Sequence, residues 1–550
     1  MPTDNVSRLR RLAPWLAALA AILVYANALH NGFALDDQAI VQQNPTVHQF
    51  APFGDLWVSA YWPRLPFQMG LYRPLTIVSY MVEWTLWHGS PIGFHAVNIG
   101  VHALVTALVV ILVLRLGAPP VAALLGGLLF AVHPVHVEAV ANVVGYAELM
   151  MTLLVLLACL AHLSRRGPRA VRWVLIGACF LAALLVKESA VALPLLLVIV
   201  DYLDPGRRQP LWRTVWDDAP LYLLLAVLFA GYLGLRYAVL GVVAGTTPSA
   251  ALVGQSSAVR VATALRTWLD YIRLMIWPHD LVAEYGPNVR TAASWRDLAV
   301  YLGLAAGGAI LASAVWARRR APWWTATVAW FAASVFVVSN LVVGVGIILA
   351  ERTLYLPSVG LALAVVPLVA LGSRHARVAW AVAAVAGGLA VARTWTRTPV
   401  WKSTTTVLVQ LASSHPESFM AQSFMGDSAM RAGNAPEAVR HYAIAYGLVR
   451  DRALGSRYAQ ALVAVKDWPE AERVARASCR SGTPMPCLNI VDALLGAGEP
   501  VEARAVLDSI SRFVVPSRAL EERRAAVARA LAGRGRVRDA PPDRVRMQKR

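Results

Sequence analysis

From residue 13 to residue 394 the sequence is a succession of apolar blocks, and this bounds every other property the chain can have. A segment in hydrocarbon must satisfy its backbone N–H and C=O groups internally, so it is a helix or part of a closed barrel. Barrel strands show as alternating stretches of about 10 residues, whereas a helical span needs about 20 mostly apolar ones. The blocks here are of the helical kind. They fall at 13–30, 92–114, 120–142, 146–163, 170–186, 189–203, 218–236, 297–316, 322–346, 353–372 and 377–393, eleven expected spans. Charged residues make up 15% of the 550, against about 25% in an ordinary soluble chain. The expected fold class is all-α: a polytopic helical membrane domain followed by a soluble helical region.

The net charge of +19 would by itself admit nucleic acid as a partner. The arginines argue against it. They sit in short clusters between apolar blocks, the pattern of cytoplasmic loops facing anionic lipid. With Arg8, Arg10 and Arg11 inside, that side also receives Arg115; Arg165, Arg166, Arg169 and Arg172; Arg207, Arg208 and Arg213; Arg318, Arg319 and Arg320; and Arg374 and Arg377. The other side receives Asp36, Asp37, Glu83, Glu138, Glu148, Lys187, Glu188, Glu351 and Arg352. An odd number of spans puts the C-terminal region on this second, non-cytoplasmic side.

A further apolar block, 258–277, carries Arg260, Arg266, Asp270 and Arg273. Insertion scales set about 2.5–3.5 kcal/mol against each such charge at the bilayer centre. An amphipathic interfacial helix is therefore expected, within an external loop from about 237 to 296. Ala26-Asn27-Ala28 matches an A-x-A cleavage pattern, but the preceding apolar run is long, and an uncleaved anchor is expected. External loops hold no N-x-S/T glycan acceptor, since Pro45 blocks the one at Asn44. With the Ala-, Arg- and Val-heavy composition, this fits a bacterial inner membrane.

After residue 400 the chain turns polar and Ala-rich. Residues 416 to about 517 repeat with a period near 33, anchored at Gly433-Asn434-Ala435-Pro436-Glu437-Ala438, Asp467-Trp468-Pro469-Glu470-Ala471 and Gly498-Glu499-Pro500-Val501-Glu502-Ala503. A short turn between two Ala-rich helices at this period is the signature of the tetratricopeptide (TPR) repeat. Such arrays hold peptides or proteins in a concave face. A plain helical cap on the membrane domain is the alternative. The expected domains are 1–400 in the membrane, 401–530 as TPR-like repeats, and 531–550 as a basic disordered tail. Cys159 and Cys179 are expected to be packing residues. Cys479 and Cys487, on the oxidising side, could form a disulfide.

Each external loop before the repeats holds a compact polar cluster: Asp36 and Asp37; Arg73; His133, His136, Glu138 and Glu148; Lys187 and Glu188; Glu351 and Arg352. Ionisable groups at membrane depth are functional candidates by default, because burying them unpaired is costly. Their convergence on one leaflet suits an anionic lipid-linked substrate. Arg73, Lys187 and Arg352 can pair with phosphate, and a carboxylate can act on a hydroxyl. Each element also has a plainer explanation. Asp36-Asp37 could mark a span end, Lys187-Glu188 and Glu351-Arg352 could be internal ion pairs, and the two histidines could be interfacial. HxxHxE is not a zinc-protease pattern, and no metal is expected.

The strings LDDQAIVQQNPTV, YRPL, HPVHVEAVANVVGYAEL, KESAV, ERTLYLPSVG and RTWTRTPVWKS, followed by the repeats, resemble the transmembrane, TPR-containing protein O-mannosyltransferases. The resemblance implies the GT-C fold of polyprenyl-phosphate-dependent glycosyltransferases. It implies an essential acid in the first external loop, here Asp36 or Asp37, as the base that deprotonates a Ser or Thr hydroxyl. Arg73, His133, His136, Glu138, Lys187, Glu188, Glu351 and Arg352 would bind substrate, with Arg352 the better phosphate partner. The lipid-linked sugar would be a co-substrate, with no cofactor required. The implied partners are the polyprenyl-phosphate sugar, an acceptor protein held by the repeats, and the bilayer. One departure stands out: where family members often read GRAD, this chain has Gly145-Tyr146-Ala147-Glu148. Two other classes remain open at this point, a flippase for lipid-linked sugars and a non-catalytic TPR scaffold.

Overall fold

The computed structural model describes residues 3–49, 57, 60–62, 70–243, 249–341, 344, 346–372, 376–479, 484–512 and 517–538. Among them every regular element is helical. The chain divides into two compact units, Met1–Gly286 with Arg290–Gln410 and Pro287–Val289 with Leu411–Arg550. The division falls past residue 400 because Trp401 and Val407 are buried in the first unit's core.

In the first unit, seven helical stretches are long and apolar enough to cross a membrane: Asp4–His30, Pro91–Arg115, Val143–Leu163, Arg169–Val186, Ala219–Leu240, Leu298–Ala317 and Arg377–Lys402. The chain is a multi-pass membrane protein. Several helices turn large apolar side chains outward, as a lipid-facing surface does: Leu223 and Val227, Leu302 and Leu311, Val382 and Leu389. The first helix packs instead through Ala13, Ala17 and Ala21, spaced four apart and fully buried. Gly127 lies opposite, where an added Cβ would meet Ala17 at 3.2 Å. Small residues at this spacing let membrane helices approach closely.

The other four expected spans depart from straight helices, each for a local reason. The block 120–142 breaks at His133-Pro134 into Pro120–Val132 and Pro134–Ala141, bent by 46°. Counting that pair as one span gives eight. The block 189–203 opens as a 3-10 turn, Glu188–Ala192, and leaves only the 11-residue helix Leu193–Leu203. Eleven residues rise about 17 Å, well short of the roughly 30 Å hydrocarbon core. The block 322–346 yields Pro322–Val338 and stops where Asn340 takes φ +59°. The block 353–372 begins as a 3-10 turn, Glu351–Leu354, and its α-helix starts only at Val359, past Pro357. The polar motifs thus sit where helices are interrupted, which frees backbone and side chains to form a site.

The block 258–277 forms the helix Ser257–Ile276, capped by the Ser256 hydroxyl. It buries Ala262, Thr267, Tyr271 and Leu274. Its Asp270 pairs with Arg290 at 3.0 Å.

The second unit contains three helix–turn–helix pairs: Phe419–Arg431 with Ala435–Leu448, Arg452–Ala464 with Trp468–Ser478, and Pro484–Gly496 with Pro500–Ile510. Asn434, Asp451 and Asp467 cap helix starts with their side-chain oxygens. Cys479 and Cys487 are joined by a disulfide. The helix Arg518–Arg538 runs into the segment expected as a disordered tail, so residues 531–538 are helical. Residues 539–550 lie outside the described residues.

One glycine governs the bend beside the polar motifs. Gly145 closes the 3-10 turn Val143–Gly145 against the short helix Val137–Ala141, and a Cβ there would lie 2.2 Å from the Ala139 carbonyl oxygen. Gly145→Ala should therefore cost about 1–3 kcal/mol, the scale of overpacking, and lower the melting temperature in detergent. Gly100, where an added Cβ would meet nothing within 4 Å, is the control. Gly100→Ala should leave stability unchanged or raise it.

Candidate functional site

The loop after the first helix is built around Asp37. The chain leaves the first helix through the 3-10 turn Ala26–His30 and is held by the Gly32 N–H donating to the Lys402 carbonyl at 2.9 Å. Leu35 takes the left-handed φ of +48°, a conformation that costs a non-glycine residue roughly 1–2 kcal/mol. The Leu35 N–H donates to Thr404 Oγ1 at 2.8 Å, which helps fix it. Asp37 is 1% exposed. Its carboxylate accepts from the backbone N–H of Ala34 at 3.0 Å, of Val144 at 2.8 Å and of Val143 at 3.3 Å. Asp37 thus ties the loop to the bend that Gly145 closes. Burial pushes its carboxyl up to about 7, with the three N–H donors opposing and Asp36 adding.

Asp36 has a different surrounding. It is half-buried, and among the described residues no group hydrogen-bonds its carboxylate. Burial raises its pKa; Arg352 opposes the shift, Glu138 adds to it, and Arg73 also opposes it. Those three residues belong to the other polar motifs.

The cations are each fixed by a carboxylate from a distant segment. Arg73, at the start of helix Pro74–Trp87, donates to Glu188 through Nε at 3.0 Å and Nη2 at 2.6 Å. Its guanidinium also lies 5.1 Å from the Tyr61 ring centre. Arg352 binds Glu138 twice, through Nη1 and through its backbone N–H at 2.8 Å. Lys187 Nζ binds Glu148. The Lys187–Glu148 pair is buried, and Glu138 is 1% exposed, whereas the side chain of Glu188 is 33% exposed. Removing one partner from a buried pair leaves an uncompensated charge and typically costs about 3–5 kcal/mol. The bidentate grip on Arg73 outweighs burial and holds Glu188 down at about 2.

Three further expected site residues bond to neighbouring protein groups. Glu351 is fully buried and accepts from the Val282 N–H and from the Tyr285 hydroxyl at 3.0 Å, so it anchors the loop that follows the helix Ser257–Ile276. His133 caps its own turn, its Nδ1 accepting from the Val135 N–H at 3.3 Å. His136 pairs with the Ser358 hydroxyl at 2.7 Å and packs on Phe130 and Tyr355. The groups with metal-ligand spacing found among the described residues include neither histidine.

Glu284 joins the cluster although no sequence pattern points to it. It lies in the loop anchored by Glu351 and accepts the Gly286 N–H at 3.0 Å. Burial pushes it up to about 7; the Gly286 donor opposes, and Asp36 adds. No motif marks it, since it sits alone in an irregular segment. Glu148, by contrast, stands in the HPVHVEAVANVVGYAEL motif, but only the structure reveals its pairing with Lys187.

The two aspartates should separate in a stability measurement. Asp37→Asn turns an amide NH2 toward at least one backbone N–H, and an unmet buried donor costs about 1–3 kcal/mol. Its melting temperature should fall. Asp36→Asn breaks no hydrogen bond and should melt within a degree or so of wild type, by the usual small effect of changes away from such contacts. Equal losses would contradict the assignment of Asp37 as the anchor.

No family model matches the chain. Among curated proteins it is 29% identical to the human protein O-mannosyl-transferase TMTC4 over 508 residues, which cover 80% of this chain and 67% of that protein. It is 34% identical to the Drosophila melanogaster protein O-mannosyl-transferase Tmtc1 over 200 residues, 35% of this chain and 23% of that protein. It is 27% identical to the Caenorhabditis elegans protein O-mannosyl-transferase F38B6.6 over 402 residues, 70% of this chain and 55% of that protein. The chain thus spans about two thirds of the length of TMTC4 and less of the other two. Among solved structures it is similar to ArnT from Cupriavidus metallidurans bound to undecaprenyl phosphate, with a TM-score of 0.38 and 15% identity over 91% of this chain and 81% of that one. By its sequence, the chain is similar to the TMTC protein O-mannosyl-transferases.

Proposed function

We propose that this protein is a GT-C type membrane glycosyltransferase that moves a sugar from a polyprenyl-phosphate donor to a Ser or Thr hydroxyl of an extracytoplasmic protein. Its relatives' names point to mannose as the sugar. The observation that carries this reading is Asp36, a half-buried carboxylate with no hydrogen-bond partner among the described residues, within electrostatic reach of Arg352 and Arg73.

Asp36 takes the proton of the acceptor hydroxyl as its oxygen bonds to the anomeric carbon. The bond from that carbon to the phosphate oxygen breaks, and polyprenyl phosphate leaves with the electron pair. One such displacement inverts the anomeric centre, and donor and acceptor balance it without a cofactor. General-base help of this kind is worth about 10²–10⁴-fold. Arg352 holds Glu138 with Nη1 and keeps other guanidinium donors for the departing phosphate. Fixed cations in a poorly hydrated site stabilise that charge better than water would.

The proposed orientation puts the N-terminus in the cytoplasm and the acid cluster outside. The Cys479–Cys487 disulfide supports it, since disulfides persist in oxidising compartments such as the periplasm. The three helix pairs, opening at Phe419, Arg452 and Pro484 with a period near that of TPR repeats, would present the acceptor.

Purified full-length protein, given polyprenyl-phosphate mannose and an unfolded secreted acceptor, should release polyprenyl phosphate and label Ser or Thr. Donor carried across vesicles with no sugar on any acceptor would instead establish a flippase. The rate should also depend on pH in a defined sense. The base works ionised, and burial raises the pKa of Asp36 above its ordinary value of 3.8. The rate should therefore fall as pH drops, beginning above the usual carboxylate range. A flat profile down to about pH 4 would exclude a raised carboxylate as the base.

A further inference from the structure

A second polar cluster lies at the far end of the membrane helices. His162 is 14 residues beyond Glu148 on the helix Tyr146–Leu163, about 21 Å along its axis at the standard rise. It meets Asp201 of helix Leu193–Leu203 and Asp218, the residue before helix Ala219–Leu240. One donor atom from each of the three lies within 4.8 Å of the others. The three line a cavity of about 350 Å³ that also takes in Arg169, Arg172 and Thr214.

Two observations separate this cluster from a solvated charged face. Asp201 is only 6% exposed, and its Oδ2 has no hydrogen-bond partner among the described residues. A buried carboxylate oxygen left unpaired is costly, and such atoms are rare without an ion or water to meet them. Its other oxygen already faces a ligand type, since His162 Nε2 lies 2.8 Å from Asp201 Oδ1. Each neighbouring arginine already holds an acceptor, Arg169 on Asp218 itself, although Arg172 Nε has no hydrogen-bond partner among the described residues. Arg165 pairs with Asp204 at 2.8 Å, and Arg172 donates to the Ser164 carbonyl. Arg169 holds Asp218 Oδ1 and also the Asp217 carbonyl, so a second Asp218 oxygen remains for another partner.

We propose that His162, Asp201 and Asp218 form a divalent-cation site that clamps the ends of three membrane helices. One imidazole and two carboxylates suit zinc or manganese, whereas magnesium prefers an all-oxygen shell with water. Two tetrahedral ligands at about 2.1 Å from one ion lie about 3.4 Å apart, so side-chain atoms now within 4.8 Å of one another close in by up to about 1.4 Å on binding. On binding, His162 Nε2 gives up the proton it donates to Asp201 and ligates the ion through the lone pair so freed, with the ring proton on Nδ1. The site does not touch the reacting atoms, so its role is structural.

The test uses tag-free full-length protein in detergent, stripped with chelator and titrated separately with Zn²⁺, Mn²⁺ and Mg²⁺. Bound metal and melting temperature are both read. The expected result is a single zinc or manganese equivalent per chain with a raised melting temperature. His162→Gln, Asp201→Asn and Asp218→Asn should each weaken binding by more than about 10-fold, since losing even a supporting partner of a ligand costs that much. If one variant fails to fold, the other two decide. No stoichiometric zinc or manganese on the wild type, or unchanged affinity in the folded variants, overturns the proposal. Magnesium bound as tightly as zinc overturns the metal class.

Discussion

The carboxylate of Asp37, clasped by three backbone N–H groups, is the contact on which the candidate site depends. It joins the loop after the first helix to the bend after Pro134, two segments more than 100 residues apart in the chain. The neighbouring residue, Asp36, meets no backbone donor among the described residues. The left-handed Leu35 and the close approach at Gly145 are the two local strains the junction requires. A carboxylate that is structural and one that is available are thus produced side by side by a single fold.

Around them, three cations are each immobilised by their own acid. A buried ion pair is weak evidence for stability, because desolvation offsets much of the attraction. What such pairs supply here is position. Arg73, Lys187 and Arg352 come from different segments of the chain, and their partners Glu188, Glu148 and Glu138 hold them at fixed places. An incoming phosphate would meet charges that need no reorganisation, the condition under which electrostatic stabilisation is largest.

Much of this is legible in the sequence, for identifiable reasons. A span long enough to cross hydrocarbon announces itself by length and composition, and the long straight helices, such as Pro91–Arg115 and Ala219–Leu240, are readable that way. The blocks at 189–203 and 353–372 mislead because their apolar composition hides 3-10 turns set by Lys187-Glu188 and by Pro357. The polar motifs are recognisable singly. Their pairing is not, since Arg73 and Glu188, or Glu138 and Arg352, are brought together only by tertiary packing. Glu351 stands beside Arg352 in the sequence yet turns to Tyr285 instead, and Glu284 arrives from a loop with no motif. Adjacent aspartates are equivalent in a sequence; three N–H donors distinguish them in space.

The most direct measurement is single-turnover sugar transfer by Asp36→Asn, with donor binding measured separately on the same sample. Asparagine keeps the shape of the side chain but cannot accept the acceptor's proton. Donor affinity close to wild type with transfer slowed by about 10²–10⁴-fold, the usual worth of a general base, is the expected result. Transfer at the wild-type rate in a properly folded Asp36→Asn protein would contradict the assignment of this carboxylate as the base.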